Sequence, residues 1–139
     1  MRIEHTTEIG AAPETLWRLT TEVGRWPDLM PAFTTVERLE SGPLHVGATA
    51  RIKQPGQPPR TWTVTEYDEP KRFVWETRGV GLHMVATHDI EPTAGGCRNR
   101  LGIELSGPMG AVFGRLVGRR IAATIAAENA IFTTEAERD

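Results

Sequence analysis

The sequence predicts an α+β fold in which a seven-stranded, curved antiparallel sheet wraps around one long C-terminal helix. Three observations carry this expectation. Between residues 33 and 106, six short runs of strand type are separated by turn peptides too brief for helical crossovers. Residues 109–136 lack proline and repeat apolar side chains every three or four positions, the period of a helix. The sheet is then the only surface broad enough to cover the apolar side of that helix.

Residues 2–9, with Ile3, Thr6, Thr7 and Ile9, form the first expected strand, closed by Gly10. Pro13 suits the first turn of a helix and Glu14 complements its positive end. Leu16, Trp17, Leu19, Thr20 and Val23 supply the apolar stripe, so a helix is expected over 13–23, ended by Gly24. The segment Trp26-Pro27-Asp28-Leu29-Met30-Pro31 leaves room for one helical turn and reads as a second short helix, a connector or small lid. Strands follow at 34–40, 47–54, 60–68, 71–78, 82–91 and 97–106, which with the first make a seven-stranded meander. Their separators include Ser41-Gly42-Pro43, Pro55-Gly56-Gln57-Pro58-Pro59, Gly79-Val80-Gly81 and Pro92-Thr93-Ala94-Gly95-Gly96. The final helix spans 109–136, about seven turns.

The chain has 139 residues, the size of one domain, and is read as a single unit over 1–139. Sixteen Lys and Arg against eighteen Asp and Glu give a net charge of -2, which lacks the basic footprint of a nucleic-acid binder. The single cysteine, Cys97, has no partner for an internal disulfide, and the N-terminus shows no apolar signal run, so a cytoplasmic setting is expected. Fourteen glycines and ten prolines, spread singly, mark turns between short strands.

Alternation along each strand separates two faces. Leu82, Met84, Ala86, His88 and Ile90 share one face, and Cys97, Asn99, Leu101, Ile103 and Leu105 continue it on the next strand. Phe73, Trp75 and Thr77 extend it, as do Trp62, Val64 and Glu66, then the small residues Ala48 and Ala50 with Ile52. Such a mixture of large and small apolar groups with a few polar ones is compatible with a ligand pocket. It is equally compatible with a solid core whose polar groups bond to one another or to buried water.

Several local motifs recur in a familiar order. Ala12-Pro13-Glu14-Thr15-Leu16-Trp17 opens the first helix, Val23-Gly24-Arg25-Trp26-Pro27 follows it, and Val46-Gly47-Ala48 begins a strand. Thr65-Glu66-Tyr67-Asp68-Glu69-Pro70-Lys71-Arg72-Phe73-Val74-Trp75 and His88-Asp89-Ile90-Glu91-Pro92 come later. Together they resemble the SRPBCC superfamily of START-related, pollen-allergen-type helix-grip proteins, especially its polyketide cyclase/dehydrase branch. The resemblance implies a deep cavity between sheet and C-terminal helix that takes a lipid, sterol, polyketide or quinone. The residues expected to meet such a ligand are Trp62, Phe73, Trp75, Met84 and Asn99 in the sheet. Trp17, Trp26 and Met30 are placed at the mouth, facing Phe113 and Val117 of the long helix. Ordinary core packing remains the alternative for the mouth residues.

His88 has the chemistry of a general base or a hydrogen-bonding anchor, and equally that of a satisfied core histidine. Glu66, if it turns inward, could act with His88 as an acid; the other reading is a surface glutamate beside Tyr67 and Asp68. His83 and His88 are five apart on a strand and point to opposite faces, so no metal site is expected. Gly79 and Gly81 fall short of a dinucleotide fingerprint, so no cofactor is expected. Ser41 and Ser106 have no histidine at a recognisable spacing, which leaves nucleophilic catalysis unsupported. Gly110, Gly114 and Gly118 recur every four residues on the long helix; Arg115, Arg119 and Arg120 interrupt any membrane span there, and close packing on the sheet is favoured over an oligomer contact. The expected function is binding of a small hydrophobic molecule by a monomer or homodimer without nucleic acid or an integral membrane segment. The alternatives are a cyclase or dehydratase working through His88, or an interaction protein with a filled core.

Overall fold

A computed structural model describes residues 1–138. The chain forms β1 (Arg2–Ile9), α1 (Pro13–Thr21), a 3-10 turn (Val23–Arg25), α2 (Trp26–Leu29), β2 (Thr35–Arg38), β3 (Thr49–Lys53), β4 (Arg60–Asp68), β5 (Arg72–Gly79), β6 (Leu82–Thr93), β7 (Gly96–Ser106) and α3 (Gly110–Arg138). All seven strands join one antiparallel sheet in the order β1-β7-β6-β5-β4-β3-β2. The meander therefore covers β2 to β7 only. The helical connection through α1 and α2 carries the chain from one sheet edge to the other, so β1 pairs with β7, Ile9 opposite Cys97.

The β6–β7 hairpin turns on Ala94 and Gly95, with Thr93 paired to Gly96. Gly96 is required there, because a Cβ at that position would overlap the Ile9 carbonyl oxygen where β1 passes into the first helix. The β4–β5 pair contains a bulge: Val64 faces Trp75, yet Glu66 faces Val74, so Thr65 is an extra residue. Beyond the bulge the parity of β4 reverses. Tyr67 turns toward the helix side, where its ring meets Trp17 at 5.3 Å, and Glu66 turns to the outer face.

That outer face is polar and laced by cross-strand ion pairs. Arg72 reaches both Asp89 (2.6 Å) and Glu66 (3.2 Å), and Arg98 reaches Glu8 (2.8 Å) and Glu91 (3.1 Å). On the inner face, α3 lies against β1 and β7. Gly110, Gly114 and Gly118 are buried at this contact, where Leu105 and the Met1 side chain come close enough that a Cβ on Gly114 would collide with the Met1 sulfur. Farther along α3, Asn99 Nδ2 donates to Asn129 Oδ1 at 2.8 Å. Asn129 Nδ2 in turn donates to His5 Nδ1 (2.9 Å) and lies within reach of the carbonyls of His5 (3.2 Å) and Asn99 (3.3 Å). One amide thus ties α3 to both β1 and β7.

Candidate functional site

Because α3 rides on β1 and β7, the concave face of β3 to β6 is not roofed directly, and a partly open hollow of about 300 Å³ remains. Trp62, Trp75, Met84, Ala86 and His88 form its floor, all from the face that strand alternation directs inward. Phe113, Val117, Ile121, Thr124, Ile125 and Glu128 form its roof, at the three- and four-residue steps that share one side of a helix. Trp26 and Phe33 close one end. The exposed members of the wall are Pro55, Gly56 and Arg120, so the opening lies between the β3–β4 loop and the middle of α3. Lys53 Nζ holds that loop by donating to the carbonyls of Gln54 (2.8 Å) and Gln57.

Aromatic rings stiffen the floor. Trp75 sits at the centre of a cluster, 5.0 Å from Phe73, 5.6 Å from Trp26 and 5.8 Å from Trp62 between ring centroids. His88, opposite Phe73 in the β5–β6 register, stacks on the Phe73 ring at 4.7 Å with only 9° between planes.

Two titratable groups enter this apolar space without partners. His88 is 5% exposed and its Nδ1 has no hydrogen-bond partner. Burial pushes its pKa down to about 3, so the ring is neutral at physiological pH. Glu128 is 9% exposed, and among the described residues it makes neither a hydrogen bond nor an ion pair. Burial raises its pKa to about 8, so at neutral pH it is chiefly the uncharged acid, a hydrogen-bond donor. The arrangement therefore offers a neutral acid and a neutral imidazole in a space of low polarity, where either could hold an oxygen function or exchange a proton with it.

Of the residues expected at the site, Trp26, Trp62, Trp75, Met84, His88, Phe113 and Val117 line the hollow. Phe73 lies behind His88 as its stacking partner, and Met30 is fully buried outside the wall. Asn99 is committed to Asn129. Glu66 is not in the site: the Thr65 bulge turns it outward, where its side chain is 56% exposed and bonded to Arg72. The expected mouth is corrected as well. Trp17 packs on Tyr67 and borders a separate surface cleft with Leu44 and Pro70, because α1 is drawn onto α3 and β6, away from the opening.

Sequence reasoning missed Glu128, although a signal existed. It stands three residues after Ile125 and four before Phe132, on the same helical side as the buried stripe. Ser106 also has a histidine neighbour, which linear spacing hid: the β6–β7 register pairs it with His83, whose Nδ1 lies 3.5 Å from the Ser106 hydroxyl and whose Nε2 lies 2.9 Å from Glu76. That row is on the outer face, away from the hollow. No cluster of three or more metal-ligating side chains occurs among the described residues, and none of their helices is long and apolar enough to cross a membrane.

A family model described as "Polyketide cyclase / dehydrase and lipid transport" matches residues 1–137. No curated protein matches the chain. Among solved structures, hypothetical protein jhp0584 from Helicobacter pylori superposes with a TM-score of 0.85 at 11% identity, over 98% of this chain and 88% of that one. The di-domain ARO/CYC StfQ from the steffimycin biosynthetic pathway gives 0.81 at 12% identity, over 99% of this chain and 51% of its own. Norcoclaurine synthase from Thalictrum flavum, in complex with dopamine and hydroxybenzaldehyde, gives 0.74 at 19% identity, over 96% of this chain and 84% of that one. At these identities the likeness is one of fold, the helix-grip arrangement of sheet and helix.

Proposed function

Since this chain belongs to the polyketide cyclase/dehydrase and lipid transport family, we propose that it binds a small hydrophobic molecule in the hollow between its sheet and α3. The observation that carries this reading is the uncollapsed space of about 300 Å³ behind aromatic and aliphatic walls. Interiors close-pack when nothing needs the room, and small-molecule sites begin near this size with mostly apolar linings. The di-domain ARO/CYC StfQ and the norcoclaurine synthase in complex with dopamine and hydroxybenzaldehyde lend support from the same fold. The test is native mass spectrometry with a panel of fatty acids, sterols, quinones and aromatic ketones, on the wild type and on Ala86→Phe, which fills the floor. Retained mass adducts in the wild type that disappear in a folded Ala86→Phe protein are expected. Absence of any adduct and of any ligand-induced rise in melting temperature overturns the reading.

A second reading, an enzyme of the cyclase or dehydratase type, is favoured by one observation: His88 is neutral, unpartnered at Nδ1 and faces the ligand space. Neutral imidazole is the form that accepts a proton from a carbon acid beside a carbonyl, the first step of an aldol-type ring closure. On an accepted substrate, His88→Gln is expected to lower turnover about a hundredfold or more while leaving ligand affinity within a few-fold. Full turnover by the variant removes His88 from the chemistry.

A further inference from the structure

The roof of the hollow carries an acid that the fold does not use. Among the described residues Glu128 makes no hydrogen bond or ion pair; its neighbours along the helix stripe are Thr124, whose hydroxyl does not bond it, and the apolar Ile125 and Phe132. A buried polar group without a partner costs stability, on the order of 1–3 kcal/mol, so native interiors rarely keep one that nothing meets. Among the described residues the only other titratable groups in the wall are His88, neutral across the hollow, and Arg120. Arg120 is exposed at the opening, eight residues and therefore about 12 Å along the helix from Glu128.

We propose that Glu128 is the specificity-determining residue of this hollow, its carboxyl group donating a hydrogen bond to the carbonyl oxygen of an uncharged, otherwise apolar molecule such as a ketone. The inference rests on the ligand-binding reading above and names the chemical class that reading leaves open. Charge arithmetic selects that class. A ligand carboxylate beside Glu128 would be buried with no counter-charge, since the only cation in the wall stands at the mouth. A ligand ammonium could take the Glu128 proton's place as a partner, but both charges would then be desolvated in an apolar wall. A hydrocarbon leaves the carboxyl unpaired. A carbonyl oxygen satisfies it without creating any charge, and raises the pH at which the acid ionises.

The experiment measures dissociation constants of four probes of matched ring system: 2-acetylnaphthalene, 2-ethylnaphthalene, 2-naphthoate and 2-(aminomethyl)naphthalene. They are titrated into wild type, Glu128→Gln and Glu128→Leu between pH 6 and 9.5. The ketone is expected to bind wild type about tenfold more tightly than the ethyl compound, the worth of one buried hydrogen bond. This advantage should fade as pH rises through about 8, where the carboxyl ionises. Glu128→Gln, which keeps an N–H donor, should retain the advantage and lose its pH dependence; Glu128→Leu, folded by circular dichroism, should lose the advantage altogether. Equal affinity for ketone and ethyl probes, an advantage that survives in Glu128→Leu, or tighter binding of the naphthoate or the amine each overturns the inference while the ligand-binding reading stands. If none of the four binds and the wider panel also fails, both fall together.

Discussion

Glu128 and Asn129 are consecutive residues on α3, both buried, and the fold treats them in opposite ways. One residue step turns a helix by about 100°, enough to aim Asn129 at the sheet and Glu128 into the hollow. Asn129 is saturated, bonded to the side chain of Asn99, to His5 and to two backbone carbonyls. Glu128 has nothing. The difference teaches that burial of a polar group does not by itself mark a site; a group that is both unpartnered and turned toward an open hollow does. Over β1 and β7 the helix is docked through the Asn99–Asn129 amide pair, with the Asn99 Oδ1 left unpaired, and over β3 to β6 a hollow remains into which His88 and Glu128 project without a hydrogen-bond partner among the described residues.

The contrast is broken most severely at Asn129. Replacing it by Leu strands the fully buried Asn99 amide and removes the partner of the half-buried His5 ring, and urea unfolding should show a loss of about 3 kcal/mol or more. The neighbouring substitution has the opposite sign. Glu128→Leu removes an acid with no partner among the described residues, and at pH 8.5 the same measurement should show a gain of about 3 kcal/mol or more.

The pH dependence of wild-type stability sharpens the comparison further. A Glu carboxyl ordinarily releases its proton near 4.5, and folded Glu128 holds it to about 8. Between these values the folded state binds the extra proton, so stability present at low pH is lost as pH rises toward 8. His88 works in the reverse sense. Unfolded histidine takes up a proton near 6.5, while the folded ring refuses it until about 3, so its contribution is lost as pH falls through that window. From 4.5 to 6.5 the two slopes oppose each other and produce a plateau; on either side stability should fall by up to about 1.4 kcal/mol per pH unit. Denaturation midpoints should show Glu128→Gln flattening the alkaline limb and His88→Gln the acid limb. The smallest effect belongs to Glu66. Its exposed ion pair with Arg72 should contribute under about 1 kcal/mol, and Glu66→Ala should leave ligand binding unchanged.

What could be read from the sequence followed the periodicities. The long helix, the strand runs and the inward set Met84, Ala86 and His88 rest on repeats of 3.6 and 2 residues, which hold wherever the element is regular. The reading failed where regularity did. One inserted residue, Thr65, reversed the parity of β4, which sent Glu66 outward and gave Trp17 an inward-facing Tyr67 to pack on. Glu128 was passed over for a different reason: a charged residue on a helix is solvent-facing by default, and only the gap left between α3 and the strands β3 to β6 gives it a buried hollow to face. Partnerships such as Asn99 with Asn129 depend on docking a helix onto a distant strand, and no local pattern encodes them.

The glycines that let α3 settle onto Leu105 and Met1 also set how the helix behaves in time. Gly110, Gly114 and Gly118 all fall in its first third, and residues 119–138 contain none. Each lowers intrinsic helix stability by about 1 kcal/mol relative to alanine, so the turns that carry Phe113 and Val117 over the hollow are the weakest of the helix. Hydrogen exchange should find the amides of residues 114–121 opening well ahead of those near Asn129, giving the protein a roof that loosens at one end while the other stays anchored.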